Sequence, residues 1–168
     1  MSEIINKVTE SGIISIDLEA FFPTEEIVLF DIKPYLFKEL ILKEKDFRAA
    51  LLQTDFSFYN NKIVGIFCTT DAIIPMWAFM LVSSYLQPHA KEIYFGTTEM
   101  VTEQKLLQNI NLINAKQFAD KRVVVKGCGE KKITESAYIA ITNQLRPVVK
   151  SIMFGEPCST VPIFKNKN

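Results

Sequence analysis

Three cysteines, Cys68, Cys128 and Cys158, are the residues of this chain best equipped for chemistry. A thiolate is both a nucleophile and a soft metal ligand, and three of them supply most of a tetrahedral shell around zinc or at an iron–sulfur cluster. Each lies in a short polar stretch that follows an apolar run: Cys68-Thr69-Thr70-Asp71, Lys126-Gly127-Cys128-Gly129 and Gly155-Glu156-Pro157-Cys158-Ser159-Thr160. A fourth ligand would come from Asp71, Glu135, Glu156 or an exogenous group. The ligand-site candidates are therefore Cys68, Asp71, Lys126, Cys128, Glu135, Glu156, Cys158, Ser159 and Thr160, with the three cysteines as the metal set. Against that reading stands the spacing, because there is no CxxC pair of the kind structural zinc sites usually contain. A second reading makes Cys158 or Cys128 a nucleophile activated by a helix N-terminus or by Lys126. It lacks a base, since the one histidine, His89, falls before a strand and thus at the opposite end of the sheet. A third reading is packing, because cysteine is a small and often buried residue.

The apolar pattern places these stretches. From residue 61 onward four continuous runs, Ile63 to Phe67, Ile93 to Phe95, Val123 to Val125 and Ile152 to Phe154, alternate with amphipathic segments. Continuous rather than alternating runs belong to strands covered on both faces, and the spacing suits right-handed crossovers. The expectation is an α/β fold, a small and mainly parallel βαβαβαβ sheet with helices on both faces. With the four strands in one sheet, in the order second, first, third, fourth, the three cysteines would meet at its carboxyl edge, where parallel sheets bind ligands.

Residues 1–60 read as an N-terminal α+β arm packed on the 61–168 core, the whole being one domain. Ile14, Ile16 and Leu18 alternate with polar residues, and Ile27 to Phe30 is expected to return beside them as a hairpin. Pro34 opens one or two helices reaching Leu52. No internal repeat or low-complexity tract is evident.

Composition removes several function classes. Lysine plus arginine equals aspartate plus glutamate, 19 against 19, so no basic excess recruits nucleic acid. The longest apolar run, Ala72 to Val82, is far short of the ~20 residues that span a bilayer. No basic stretch leads into an apolar run at Met1-Ser2-Glu3-Ile4-Ile5, so a cytoplasmic location is expected. Neither GxxxxGK[ST] nor a GxGxxG after a strand occurs, and Val161-Pro162 follows Cys158 where a phosphate-cradling cysteine loop would need an arginine. The segment Ile74 to Leu86 has no broad polar face; its Trp77 side is either buried beneath the arm or forms a homodimer interface.

The stretches Leu42 to Arg48, Asp71 to Ala78, Lys126-Gly127-Cys128 and Lys150 to Pro162 resemble a family of uncharacterised bacterial proteins, a domain of unknown function found mainly in Bacteroidetes. The resemblance brings no activity or catalytic residue with it. It implies gene neighbourhoods near iron–sulfur assembly, and hence iron–sulfur assembly proteins as partners. The reading at this point is a cytoplasmic accessory or binding protein with a three-cysteine site, linked to iron–sulfur or metal handling. A cysteine enzyme and a ligand-free interaction protein stand as alternatives.

Overall fold

The computed structural model describes residues 5–8, 12–126, 129–156 and 158–167. In chain order its elements are β1 (Ile5–Val8), β2 (Ile13–Asp17), β3 (Ile27–Asp31), α1 (Glu44–Leu52), β4 (Ile63–Phe67), α2 (Met76–Leu86), β5 (Glu92–Phe95), α3 (Thr98–Asn111), β6 (Arg122–Lys126), α4 (Glu135–Leu145), β7 (Ser151–Glu156) and β8 (Ser159–Lys165). Short 3-10 turns follow β2 and β3 and precede β4 and β6. The four apolar runs are the strands β4, β5, β6 and β7, and helices separate them as expected.

Strand pairing differs from the expected single sheet. β3, β4 and β5 form one parallel sheet in that order, while β1, β2, β6, β7 and β8 form another. The first two expected strands therefore lie in one sheet and the last two in the other. The hairpin between residues 14–18 and 27–30 is also absent: β2 runs parallel to β6, and β3 parallel to β4. Parallel pairing requires a long crossover, and the alternation within Ile13–Asp17 does not reveal which distant strand will meet it.

The chain divides into two compact units, Thr24–Thr102 and, split around it, Met1–Pro23 with Glu103–Asn168. In the nested unit Val28, Phe30, Val64, Ile66 and Ile93 face α1 and α2. Phe47 and Leu51 from α1, and Ala78, Val82 and Leu86 from α2, complete that core. Phe30 is 1% exposed and stacks on Tyr35 and Phe56. On the opposite sheet face Gly65 lies beneath Val101 of α3 and beside Leu29. In the split unit Ile14, Ile16, Val123, Val125 and Ile152 meet Leu106 and Ile110 from α3 and Ala137, Ile141 and Leu145 from α4.

The two units are built alike, which corrects the expectation of no internal repeat. Asn61 and Asp120, 59 positions apart, both take a left-handed conformation with φ near +60° just before a strand. Their amides donate to the carbonyls of His89 and Val148, while the amides of Lys91 and Lys150 donate to the carbonyls of Lys62 and Lys121. At the same offset α2 answers α4, β4 answers β6 and β5 answers β7. The sequence Leu86-Gln87-Pro88-His89-Ala90-Lys91-Glu92-Ile93-Tyr94-Phe95-Gly96 is matched by Leu145-Arg146-Pro147-Val148-Val149-Lys150-Ser151-Ile152-Met153-Phe154-Gly155. Only a few identities persist, because a core position accepts any apolar residue of suitable volume. What is retained is the turn chemistry: proline after the helix, lysine before the strand and glycine after it. Gly96 and Gly155 have φ of +131° and +119°, a region that favours glycine.

Candidate functional site

In the nested unit the carboxyl ends of the parallel strands are fixed by Asp31, the last residue of β3. Its Oδ1 accepts hydrogen bonds from the amides of Lys33 and Thr69 at 3.0 and 3.1 Å, and its Oδ2 accepts one from Thr69 Oγ1 at 2.6 Å. The amide of Ile32 donates to the carbonyl of Phe67 at 2.9 Å. Together these bonds hold the stretch that leaves β4, which contains Cys68 and Thr70. Burial opposes charge on Asp31, but the bonds from Thr69 and Lys33 outweigh it and lower its pKa from the ordinary value.

A carboxylate with a depressed pKa contributes stability above its unfolded pKa and loses it as the pH falls through the folded one. Asp31→Asn is accordingly expected to cost about 1 kcal/mol at pH 7, and the difference from the parent should shrink below about pH 4. Urea titrations of both proteins at pH 7 and pH 3.5 would check this; a difference unchanged at the acid pH would contradict it.

Above this clamp opens a cavity of about 580 Å³, walled by Phe67, Cys68, Ala72, Met76, Phe79 and Phe95, with the Thr70 hydroxyl among its few polar groups. Phe79 and Phe95 meet edge to face at 5.6 Å between ring centres. At its mouth Met76 is 73% and Ile73 95% exposed. Cys68 is a free, half-buried thiol in this wall. Asp71, expected in a first helical turn, lies instead in the loop before α2, whose N-cap is Pro75. It is exposed.

At the corresponding end of the split unit, Lys126 and Glu156 close β6 and β7 and form an ion pair at 3.3 Å. Nearby Glu19 accepts a hydrogen bond from the Lys131 amide at 2.7 Å, and Asp17 accepts one from the Glu19 amide at 2.9 Å. Cys158 is exposed in the turn between β7 and β8. Ser159 and Thr160 are strand residues that pair with Glu156 and Gly155. The stretch 155–160 is thus a hairpin rather than a loop leading to a helix. Glu135 is the exposed first residue of α4. Cys128 and Gly127 lie outside the described residues. Among the described residues no group of three or more His, Cys, Asp and Glu side chains comes together to hold a metal ion.

His89 sits beyond the C-terminus of α2, as expected, with its Nδ1 2.8 Å from Asn60 Oδ1. Trp77 packs edge to face on Phe47 of α1 at 6.0 Å, with the Arg48 guanidinium over its ring. That side of α2 is covered by the segment preceding β4, as one of the two expectations held. Sequence reasoning missed Asp31 and Thr69, although Ile27–Asp31 and Ile13–Asp17 both end on aspartate, each capping the amide two residues on.

Two similar α/β units with parallel strands, one carrying an apolar cavity beyond its strand ends, define a mixed α/β protein built by internal repetition. Residues 2–166 match the family model described as "Protein of unknown function (DUF2480)", and the chain belongs to that family. No curated protein and no solved structure matches it. No helix among the described residues is long and apolar enough to cross a membrane.

Proposed function

We propose that this is a cytoplasmic accessory protein that binds a small apolar group, or a molecule bearing one, at the carboxyl end of β4. The observation that carries the reading is the cavity of about 580 Å³, within the size range of small-molecule sites and apolar but for a hydroxyl and a thiol. Cys68 would lie against the bound group, and the Asp31 clamp would keep the wall in place without spending binding energy on ordering it.

Filling the cavity from the half-buried Ala72 should abolish binding while leaving the fold intact. Ala72→Trp is expected to weaken binding of the apolar fluorophore 1-anilinonaphthalene-8-sulfonate by roughly tenfold or more. Saturating fluorophore should also slow alkylation of Cys68 by iodoacetamide, with Cys158→Ser used so that Cys68 is read without the exposed thiol. Unchanged affinity together with an unchanged alkylation rate would defeat the reading.

A second reading, a metal or iron–sulfur site formed by Cys68, Cys128 and Cys158, draws on the position of the cysteines just past strand ends. Zinc, iron and acid-labile sulfide measured on protein purified without oxygen, beside a triple cysteine-to-alanine variant, decide it. Near-stoichiometric metal that disappears in the variant supports it. A metal-free parent that also takes up no iron or zinc on reconstitution removes it.

A further inference from the structure

The repeat gives each unit a groove between its second helix and its last parallel strand. In the split unit Val125, Tyr138, Thr142, Ile152 and Phe154 line a groove of about 260 Å³, and Ile163 of β8 lies against it. In the nested unit Ile66, Phe79, Met80, Ser83, Ile93 and Phe95 line one of about 290 Å³. Five positions correspond at the repeat offset: 66 with 125, 79 with 138, 83 with 142, 93 with 152 and 95 with 154. The difference lies in what comes next. After β7 the chain turns back as β8, which pairs antiparallel with it, and a bulge between the pairs Ile152 to Phe164 and Met153 to Pro162 sets Ile163 at the groove. After β5 the chain enters α3 instead, so no strand of this chain follows β5 in its sheet.

The consequence appears in the burial. Ile152 is 1% exposed, whereas Ile93 at the matching place is only half-buried, and Met80 at the groove rim is 73% exposed. An apolar groove that one half of a molecule covers with an extended strand, and the other half presents to solvent, specifies the chemistry of its occupant.

We propose that the nested unit is a docking site for an extended segment of a partner protein, laid antiparallel alongside β5 with an apolar side chain in the groove, as Ile163 lies in its counterpart. A second copy of this chain fits less well. Its own β5 carries α2 on the same face, and its Ile93 and Phe95 already form groove walls, leaving no side chain to serve as the insert. This inference does not rest on the Cys68 reading.

The probe is a synthetic peptide with the sequence of Ser159–Lys165, titrated into the isotope-labelled full chain and followed by amide resonances. Shifts at Met80, Ser83 and Ile93 are expected. They should weaken roughly tenfold or more with Met80→Asp protein, or with a peptide carrying aspartate in place of isoleucine. Met80 is exposed, so its replacement should leave the thermal midpoint near that of the parent, and a melting curve confirms that the variant is folded. No shift at these positions at millimolar peptide overturns the proposal. So do shifts confined to Thr142, Ile152 and Met153, or a concentration-dependent dimer of the chain that Met80→Asp abolishes.

Discussion

Replacing Phe30 with alanine should lower the stability of the nested unit by about 3–5 kcal/mol, the largest effect expected of any single side chain here. Phe30 lies at the centre of an aromatic cluster, with ring centres 5.2 Å from Tyr35, 6.0 Å from Phe56 and 5.8 Å from Tyr59. These rings come from the turn after β3 and from the turn before β4, so one truncation opens a void among elements that cannot all close in together. The cost is the lost transfer energy plus the unfilled volume, and aromatic contacts add to it. Trp77, the one tryptophan, belongs to the same core and reports directly on it. Urea unfolding followed by tryptophan fluorescence is the appropriate measurement. A loss below about 1.5 kcal/mol would mean that the surrounding rings repack, contrary to the dense packing expected of such a core.

Gly65→Val should cost about 3 kcal/mol by the opposite mechanism, overpacking. A Cβ placed on Gly65 would lie 2.6 Å from the carbonyl oxygen of Gly96 and 2.9 Å from Leu29 Cδ2 and Val101 Cγ2. Of these the Gly96 carbonyl is backbone in the turn after β5, so relief requires displacing β5 or the first turn of α3. Val124 holds the matching position in the split unit and is fully buried. The repeat therefore accepts a side chain at this place in principle, and what forbids one at position 65 is the particular approach of Gly96 and α3. Gly65→Ala should show the same effect at smaller size. If Gly65→Val unfolded at the parent's urea midpoint, the described contact between Val101 and β4 would be wrong.

The strands and helices from residue 61 onward were legible in the sequence because their signals are local. Ile63–Phe67 is a strand with the bounds its apolar run predicts, and Pro75 and Pro88 bracket α2 through restraints that act within a turn. β8 was missed because Pro162 argues against a strand except at an edge or a bulge, and here it occupies both. The candidate site was half legible. The cysteines were placed at strand ends, yet the sequence did not show that Cys68 shares its surroundings with Phe79, Met76 and Phe95, which come from α2 and the neighbouring strand.

By itself the sequence determined the class of fold, the order of its elements and the turn chemistry at their ends, since each depends on residues a few positions apart. Only the tertiary structure decided that β2 pairs with β6 and β3 with β4, splitting the expected sheet in two and revealing the repeat. Strand pairing is a choice among many distant partners of similar apolar pattern. Side-chain packing across the finished core makes that choice, and no short window of sequence contains it.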